Sequence, residues 1–116
     1  MADRSIRLKK RAEFLKVAAK GRKAPVSGMV LQALHRDDAD SARHGFTVTK
    51  KVGNSVVRSR VRRRLREVVR QVGRELPLCG VDLVVIGRSA TINRKFSSLL
   101  ADYRKALKKA GVVGDA

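Results

Sequence analysis

The hydrophobic positions of this chain change period several times along its length, and each change marks an element. From Arg11 to Ala19 the apolar residues Phe14, Leu15, Val17 and Ala18 share one side of a helix, and Gly21 stands where that helix would stop. Gly21 to Pro25 reads as a connection with room for a short edge strand. Val26 to Arg36 holds the run Met29-Val30-Leu31 together with Ala33 and Leu34, and predicts a strand. Gly45 to Lys50 alternates, with Phe46 and Val48 on one face and Thr47 and Thr49 on the other. The polar segment Asp37-Asp38-Ala39-Asp40-Ser41 between these two strands predicts a hairpin loop.

The clearest periodicity follows. Gly53-Asn54-Ser55 supplies a turn followed by an N-cap residue. Val57, Val61, Leu65, Val68 and Val72 then recur at helical steps and share an arc of about 80°. Gly73 and Pro77 close the pattern, so the helix is expected over Ser55 to about Val72. Val81 to Ile86 is a continuous apolar run, suited to a strand buried on both faces. A last helix is expected over about Arg94 to Ala110, with Phe96, Leu99, Leu100, Tyr103 and Leu107 as its stripe, followed by Gly111 and a frayed tail from Val112 to Ala116. Helix, strands, helix, strand, helix is the order of a single α+β domain with helices on a sheet.

Charge changes this picture. The 116 residues hold 28 Lys plus Arg against 10 Asp plus Glu, a formal net charge of +18. Self-repulsion of that size calls for a polyanionic partner, while a hydrophobic fraction of 43% excludes a disordered basic tail. The single Cys79 cannot form an internal disulfide, Met1 to Arg11 is too charged for a secretory signal, and the longest apolar run is too short to span a membrane. A cytoplasmic protein is the simplest expectation, with no membrane and no protein partner required.

The long helix opposes its apolar stripe with arginine. Arg62, Arg63, Arg66, Arg70 and Arg74 fall opposite the apolar stripe, and Arg58, Arg60 and Arg64 flank it. A merely solvated face mixes signs, because like charges at i and i+4 repel. Arg58, Arg62, Arg66 and Arg70 form an unrelieved row at that spacing, and an anion laid along it would remove the repulsion. Guanidinium forks match phosphate and stack on bases, which favours a structured nucleic acid without choosing RNA over DNA. Before the helix, Lys50-Lys51-Val52-Gly53-Asn54-Ser55 combines a glycine turn, two lysines and a helix N-terminus, an arrangement suited to an anion or to an ordinary turn. No nuclease constellation is evident: His35 and His44 lack partners in the sequence pattern, and Asp37, Asp38 and Asp40 read as a solvated turn rather than a cation loop. The chemistry is therefore expected from a partner.

The block Lys50-Lys51-Val52-Gly53-Asn54-Ser55-Val56-Val57-Arg58-Ser59-Arg60-Val61-Arg62-Arg63-Arg64-Leu65-Arg66-Glu67 resembles the signature of the bacterial ribonuclease P protein subunit, a family known for its Arg-Asn-Arg motif. Gly45-Phe46-Thr47-Val48-Thr49 resembles the strand leading into that motif, and Arg7-Leu8-Lys9-Lys10, Glu13-Phe14 and Gly21 match the family's opening. The resemblance implies an α-β-β-β-α-β-α sandwich with a left-handed βαβ crossover, the ribosomal protein S5 domain 2-like arrangement. The general rule for such crossovers gives the opposite hand. It also implies a catalytic RNA partner that holds the magnesium ions and removes the 5′ leader of precursor tRNA, while the protein binds that RNA and the leader and holds no metal itself.

Carried over by position, the resemblance assigns RNA binding to Lys50, Lys51, Asn54, Arg58, Ser59, Arg60, Arg62, Arg63, Arg66 and Arg70. It assigns a leader-binding cleft to Phe14, which Phe46 would complete, although both aromatics also suit a plain core. Ser59 stands where the motif has Asn, and Ala18 and Gln32 stand where some members carry further aromatics, so stacking on leader bases is expected to be weaker. A ribosomal or ribosome-assembly protein, a protein-only nuclease and a DNA-compacting protein are the rival readings of the same charge and size. The specific block at Lys50 to Glu67 argues against the first, and the missing acid–base groups against the second.

Overall fold

The computed structural model describes residues 6–113. In chain order it contains β1 (Ile6–Arg7), α1 (Arg11–Lys20), β2 (Arg22–Val26), β3 (Met29–His35), β4 (Arg43–Thr47), α2 (Ser55–Glu75), β5 (Val81–Gly87), a 3-10 turn (Ser89–Thr91) and α3 (Phe96–Lys109). Apart from the two-residue β1 and the 3-10 turn, this is the α-β-β-β-α-β-α order that the resemblance implies. One sheet runs β1-β4-β5-β3-β2. β5 is its middle strand, antiparallel to β3 and parallel to β4, so β4, α2 and β5 make a βαβ unit.

Alternation along the strands sorts the two faces. Leu31, Ala33, Leu83 and Val85 point to the main core beneath α2 and α3, while Leu34, Val84 and Ile86 point to a smaller cluster with Leu8, Phe14 and Val17 of the α1 side. β5 is buried along nearly its whole length because helices cover it from both sides, as its unbroken apolar run predicts. The core is tight enough that Val61, Leu65, Val68, Leu83 and Leu107 have no exposed surface.

Several expectations are corrected. The segment Asp37–Ser41 does not close a hairpin, because β5 lies between β3 and β4. The loop pairs instead with the residues before β5: Arg36 N–H donates to Gly80 O, Gly80 N–H to Asp40 O and Ala42 N–H to Leu78 O. The hairpin is the one between β2 and β3, where Val26 pairs with Met29 across Ser27-Gly28. Gly73 does not stop α2, which continues to Glu75, and the Leu76 N–H caps it on Val72 O ahead of Pro77. The end of α3 is ordered by Gly111 at φ +73°, with Gly111 N–H on Lys108 O and Val112 N–H on Leu107 O, the bonding of a Schellman motif. Val112 and Val113 therefore pack on the core instead of fraying. Gly114–Ala116, the rest of the predicted tail, lie outside the described residues, as do Met1–Ser5 of the charged N-terminus.

Candidate nucleic-acid interface

α2 starts from a turn in which Val52 N–H donates to Thr49 O, leaving Lys50 and Lys51 exposed beside the helix N-terminus. Asn54 is the N-cap: its side-chain oxygen accepts from Val57 N–H at 3.0 Å. A residue expected at the RNA thus also holds the helix start, and its amide NH2 remains available to a ligand.

Along the helix the division between inside and outside follows the sequence. Val61, Leu65, Val68 and Val72 are buried, joined by Val69, which the stripe did not include. Ser59, Arg60, Arg63 and Arg66 are exposed, and Arg58 and Arg62 are half-buried. The Arg58 Nε is enclosed with no hydrogen-bond acceptor among the described residues. An enclosed donor without an acceptor is costly. Burial, and then the charges of Arg7, Arg62 and Arg63, push the Arg66 guanidinium below its ordinary pKa. The pattern of like charges is thus felt by the group at its centre. Arg7 belongs to this face as well. It was not legible from the residues alone, because β1 is too short to show alternation and only the sheet order brings it beside α2.

Two arginines depart from expectation. Arg70 is not an unrelieved member of the row, since it is paired with Glu67 one turn earlier. Arg64 donates to Ile92 O at 3.1 Å and to Arg94 O, clamping α2 to the segment that enters α3. It is a structural residue rather than a surface cation.

Phe14 and Phe46 do not share a cleft. The Phe14 ring lies over Gly45, where an added Cβ would come within 2.4 Å of it, and belongs with Leu8, Val17, Leu34, Val84 and Ile86 on the α1 face. Phe46 is the next residue of the same strand and so points the other way, into the core beneath α2. Gln32 is half-buried on the α1 face, in register with Val84, and Ala18 is exposed on α1. The α1-side surface therefore has Phe14 as its aromatic, with half-buried Val30, Leu34, Thr47 and Ile86 beside it.

Ion pairs fix α1 to this surface. Asp82, buried on β5, accepts from Arg43 at 2.8 and 2.6 Å and from Arg36 at 2.5 Å. Burial acts to raise the Asp82 carboxyl, and the bonds from Arg43 and Arg36 outweigh it, holding its pKa below the usual carboxylate value. Arg43 also donates to Glu13 at 2.6 Å, and Glu13 accepts from the Lys10 and Lys9 N–H groups at the start of α1. Those backbone bonds, and Arg43, lower the Glu13 pKa.

The remaining polar groups are engaged structurally. Asp38 accepts from Arg36 and from Asp40 N–H, the work of a capped turn. His44 is buried beside the Tyr103 hydroxyl at 3.4 Å, and His35 is exposed. Among the described residues no group of three or more His, Cys, Asp or Glu gathers as a metal site, and no helix is long and apolar enough to cross a membrane.

Comparisons with known proteins agree with this geometry. The family model for ribonuclease P matches residues 2–111. The chain is 69% identical over 114 residues to the ribonuclease P protein component of Gluconacetobacter diazotrophicus, covering 98% of each. It is 54% identical to that of Paramagnetospirillum magneticum, covering 97% of this chain and 88% of the relative. Among solved structures it resembles the RNase P protein of Staphylococcus aureus (TM-score 0.78, 27% identity, 96% of this chain and 100% of the other). It also resembles that of Thermotoga maritima (TM-score 0.75, 27% identity, 89% and 96%).

Proposed function

Because this chain belongs to the ribonuclease P protein family, we propose that it lays the outer side of α2 on the ribonuclease P RNA and offers the α1-side surface to the 5′ leader of precursor tRNA. Membership makes it a protein component of ribonuclease P, partnered with that enzyme's RNA. In our reading the RNA subunit holds the magnesium ions and cleaves the leader. The protein contributes affinity and position, in the cytoplasm where the precursor is made.

The observation that carries the reading is the arginine face of α2. Arg58, Arg62 and Arg66 follow one another at i, i+4 with no acidic side chain bonded to any of them among the described residues, and Lys50, Lys51, Ser59, Arg60 and Arg63 lie around them. Phosphates placed there would remove the mutual repulsion, and each contact would release counterions. The chain's own carboxylates support a non-catalytic role. Glu13 and Asp82 are each bonded to arginine, an environment that keeps a carboxyl ionised rather than poised to transfer a proton.

Reconstitution tests it. The protein with its catalytic RNA should process a labelled precursor at lower magnesium than the RNA alone, and the protein without RNA should leave the precursor intact. Robust cleavage by RNA-free protein would overturn the division of labour.

A further inference from the structure

The arginine face of α2 accounts for a minority of the charge. α2 carries eight arginines and two glutamates, six net positive charges of the chain's eighteen. A second concentration stands at the far edge of the sheet. The stretches 14–36 and 103–113 contain no Asp or Glu, and the fold brings 22–26 and 103–111 of them together where α3 packs on β2. Lys109 Nζ donates to Pro25 O at 2.9 Å, and the Arg22 guanidinium lies over Gly111. Arg22, Lys105 and Lys108 are exposed there, and none has an ion pair or hydrogen bond to an acidic side chain among the described residues.

The ordinary explanation covers only part of this. Lys108 and Lys109 lie in the last turn of α3, where cations complement the negative end of the helix dipole. Lys105 lies a turn earlier, beside both of them at i+3 and i+4, where like charges repel. Arg22 is on a strand and has no dipole to answer. Nor does this patch extend the α2 face. The sheet order places β2 at the opposite edge from β1 and Arg7. Four strand spacings put about 19 Å between the edges, beyond the Debye length of about 8 Å at physiological salt. The β2 edge is therefore set apart from the Arg7 end of the α2 face.

We propose that the β2–α3 edge is a second RNA-binding surface, one that holds a phosphodiester backbone without reading bases. This rests on the RNA partnership stated above. Lysine predominates here where arginine predominates on α2, and ammonium groups act as point charges on phosphate. The aromatics of α3, Tyr103 and Phe96, pack on the core and offer no stacking platform. The backbone belongs to the catalytic RNA or to the precursor, and a two-arm experiment separates them.

The variant is Arg22→Ala/Lys105→Ala/Lys108→Ala, with Lys109 left in place because it ties α3 to β2. A second variant, Lys105→Ala/Lys108→Ala, spares the arginine that covers Gly111, and Lys105→Arg/Lys108→Arg preserves charge. One arm measures binding of the protein to the catalytic RNA against salt concentration. The other measures binding of precursor tRNA to the assembled holoenzyme. The salt slope of log K should flatten by about 2–3 for the triple variant and by about 1.5–2 for the double, following roughly 0.7–0.9 per phosphate contact. The charge-preserving variant should match the parent. Flattening in the first arm assigns the backbone to the catalytic RNA, and flattening in the second assigns it to the precursor. Parent slopes in both arms for both alanine variants overturn the proposal. Arg62→Ala/Arg66→Ala is measured alongside: if it too keeps the parent slope, the failure lies with the α2 reading and not with this edge alone.

Discussion

At the scale of single residues, the Phe14 ring and the missing side chain of Gly45 form one device. The ring sits where a β-carbon at position 45 would collide with it. Phe14→Ala should weaken binding of precursors with long leaders more than of precursors without one, by roughly 1–3 kcal/mol if a base stacks on the ring. Gly45→Ala should produce a similar loss of leader discrimination by displacing the ring, with Phe14 itself intact. Phe46→Ala should behave oppositely, lowering the melting temperature and leaving the ratio of leader to leaderless affinity unchanged. Binding of both precursor types, measured beside thermal melting for the three variants, checks all of this. Equal loss on both substrates for Phe14→Ala would mark it as a core residue. The sequence could place Phe46 opposite Thr47 by alternation, but could not tell which side of the strand α1 would cover. That depends on where a distant helix packs, and nothing local encodes it.

At the scale of elements, α2 separates scaffold from contact. Leu65 is fully buried and Arg66, the next residue, is exposed. Leu65→Ala should cost about 2–5 kcal/mol of stability and lower the melting temperature. Arg62→Ala and Arg66→Ala should leave melting nearly unchanged, or raise it slightly as repulsion with Arg7 and Arg63 is relieved. They should also weaken binding to the catalytic RNA and flatten its salt slope by roughly 0.7–0.9 per contact. Arginine variants that bind like the parent at every salt concentration would reduce this face to solvated surface. Both the stripe and its basic opposite were readable because a helix repeats locally, every three or four residues. The unbroken run at Val81–Ile86 was readable for a similar reason. Strand pairing was not, because a polar loop has the same composition whether its flanking strands are neighbours or not. Asp37–Ser41 turned back onto Leu78–Gly80, and β5 entered between β3 and β4. The clamp made by Arg64 and the pairing of Arg70 were not legible for a related reason: the carbonyls that bind Arg64 lie 28 and 30 residues away, and the Glu67 partner of Arg70 reads equally well as a solvated charge.

At the scale of the whole molecule, a chain with so large an excess of positive charge uses Glu13, Asp82 and Glu75 to hold elements together. Asp82 joins β5 to β4 through Arg43 and to the β3–β4 loop through Arg36, and Arg43 passes the link to Glu13 and so to α1. Breaking this centre removes the anion that Arg36 and Arg43 share and leaves them only their outer partners, Asp38 and Glu13. Asp82→Asn should therefore destabilise the free protein at pH 7 by about 3 kcal/mol, as expected when one partner of a buried ion pair is removed. The pH dependence distinguishes charge from shape. The folded Asp82 pKa lies below its unfolded value of about 3.9, so the folded state binds fewer protons than the unfolded state around that pH. Its contribution is complete above the unfolded value and is lost as pH falls through the folded one. The gap in melting temperature between parent and Asp82→Asn should be wide at pH 7 and close progressively below about pH 4, even as both proteins weaken from mounting net charge. Melting curves for the two proteins between pH 7 and pH 3 supply the measurement. A gap that stays constant across that range would mean that the carboxamide disturbs packing, and that the ion pairs contribute nothing of their own.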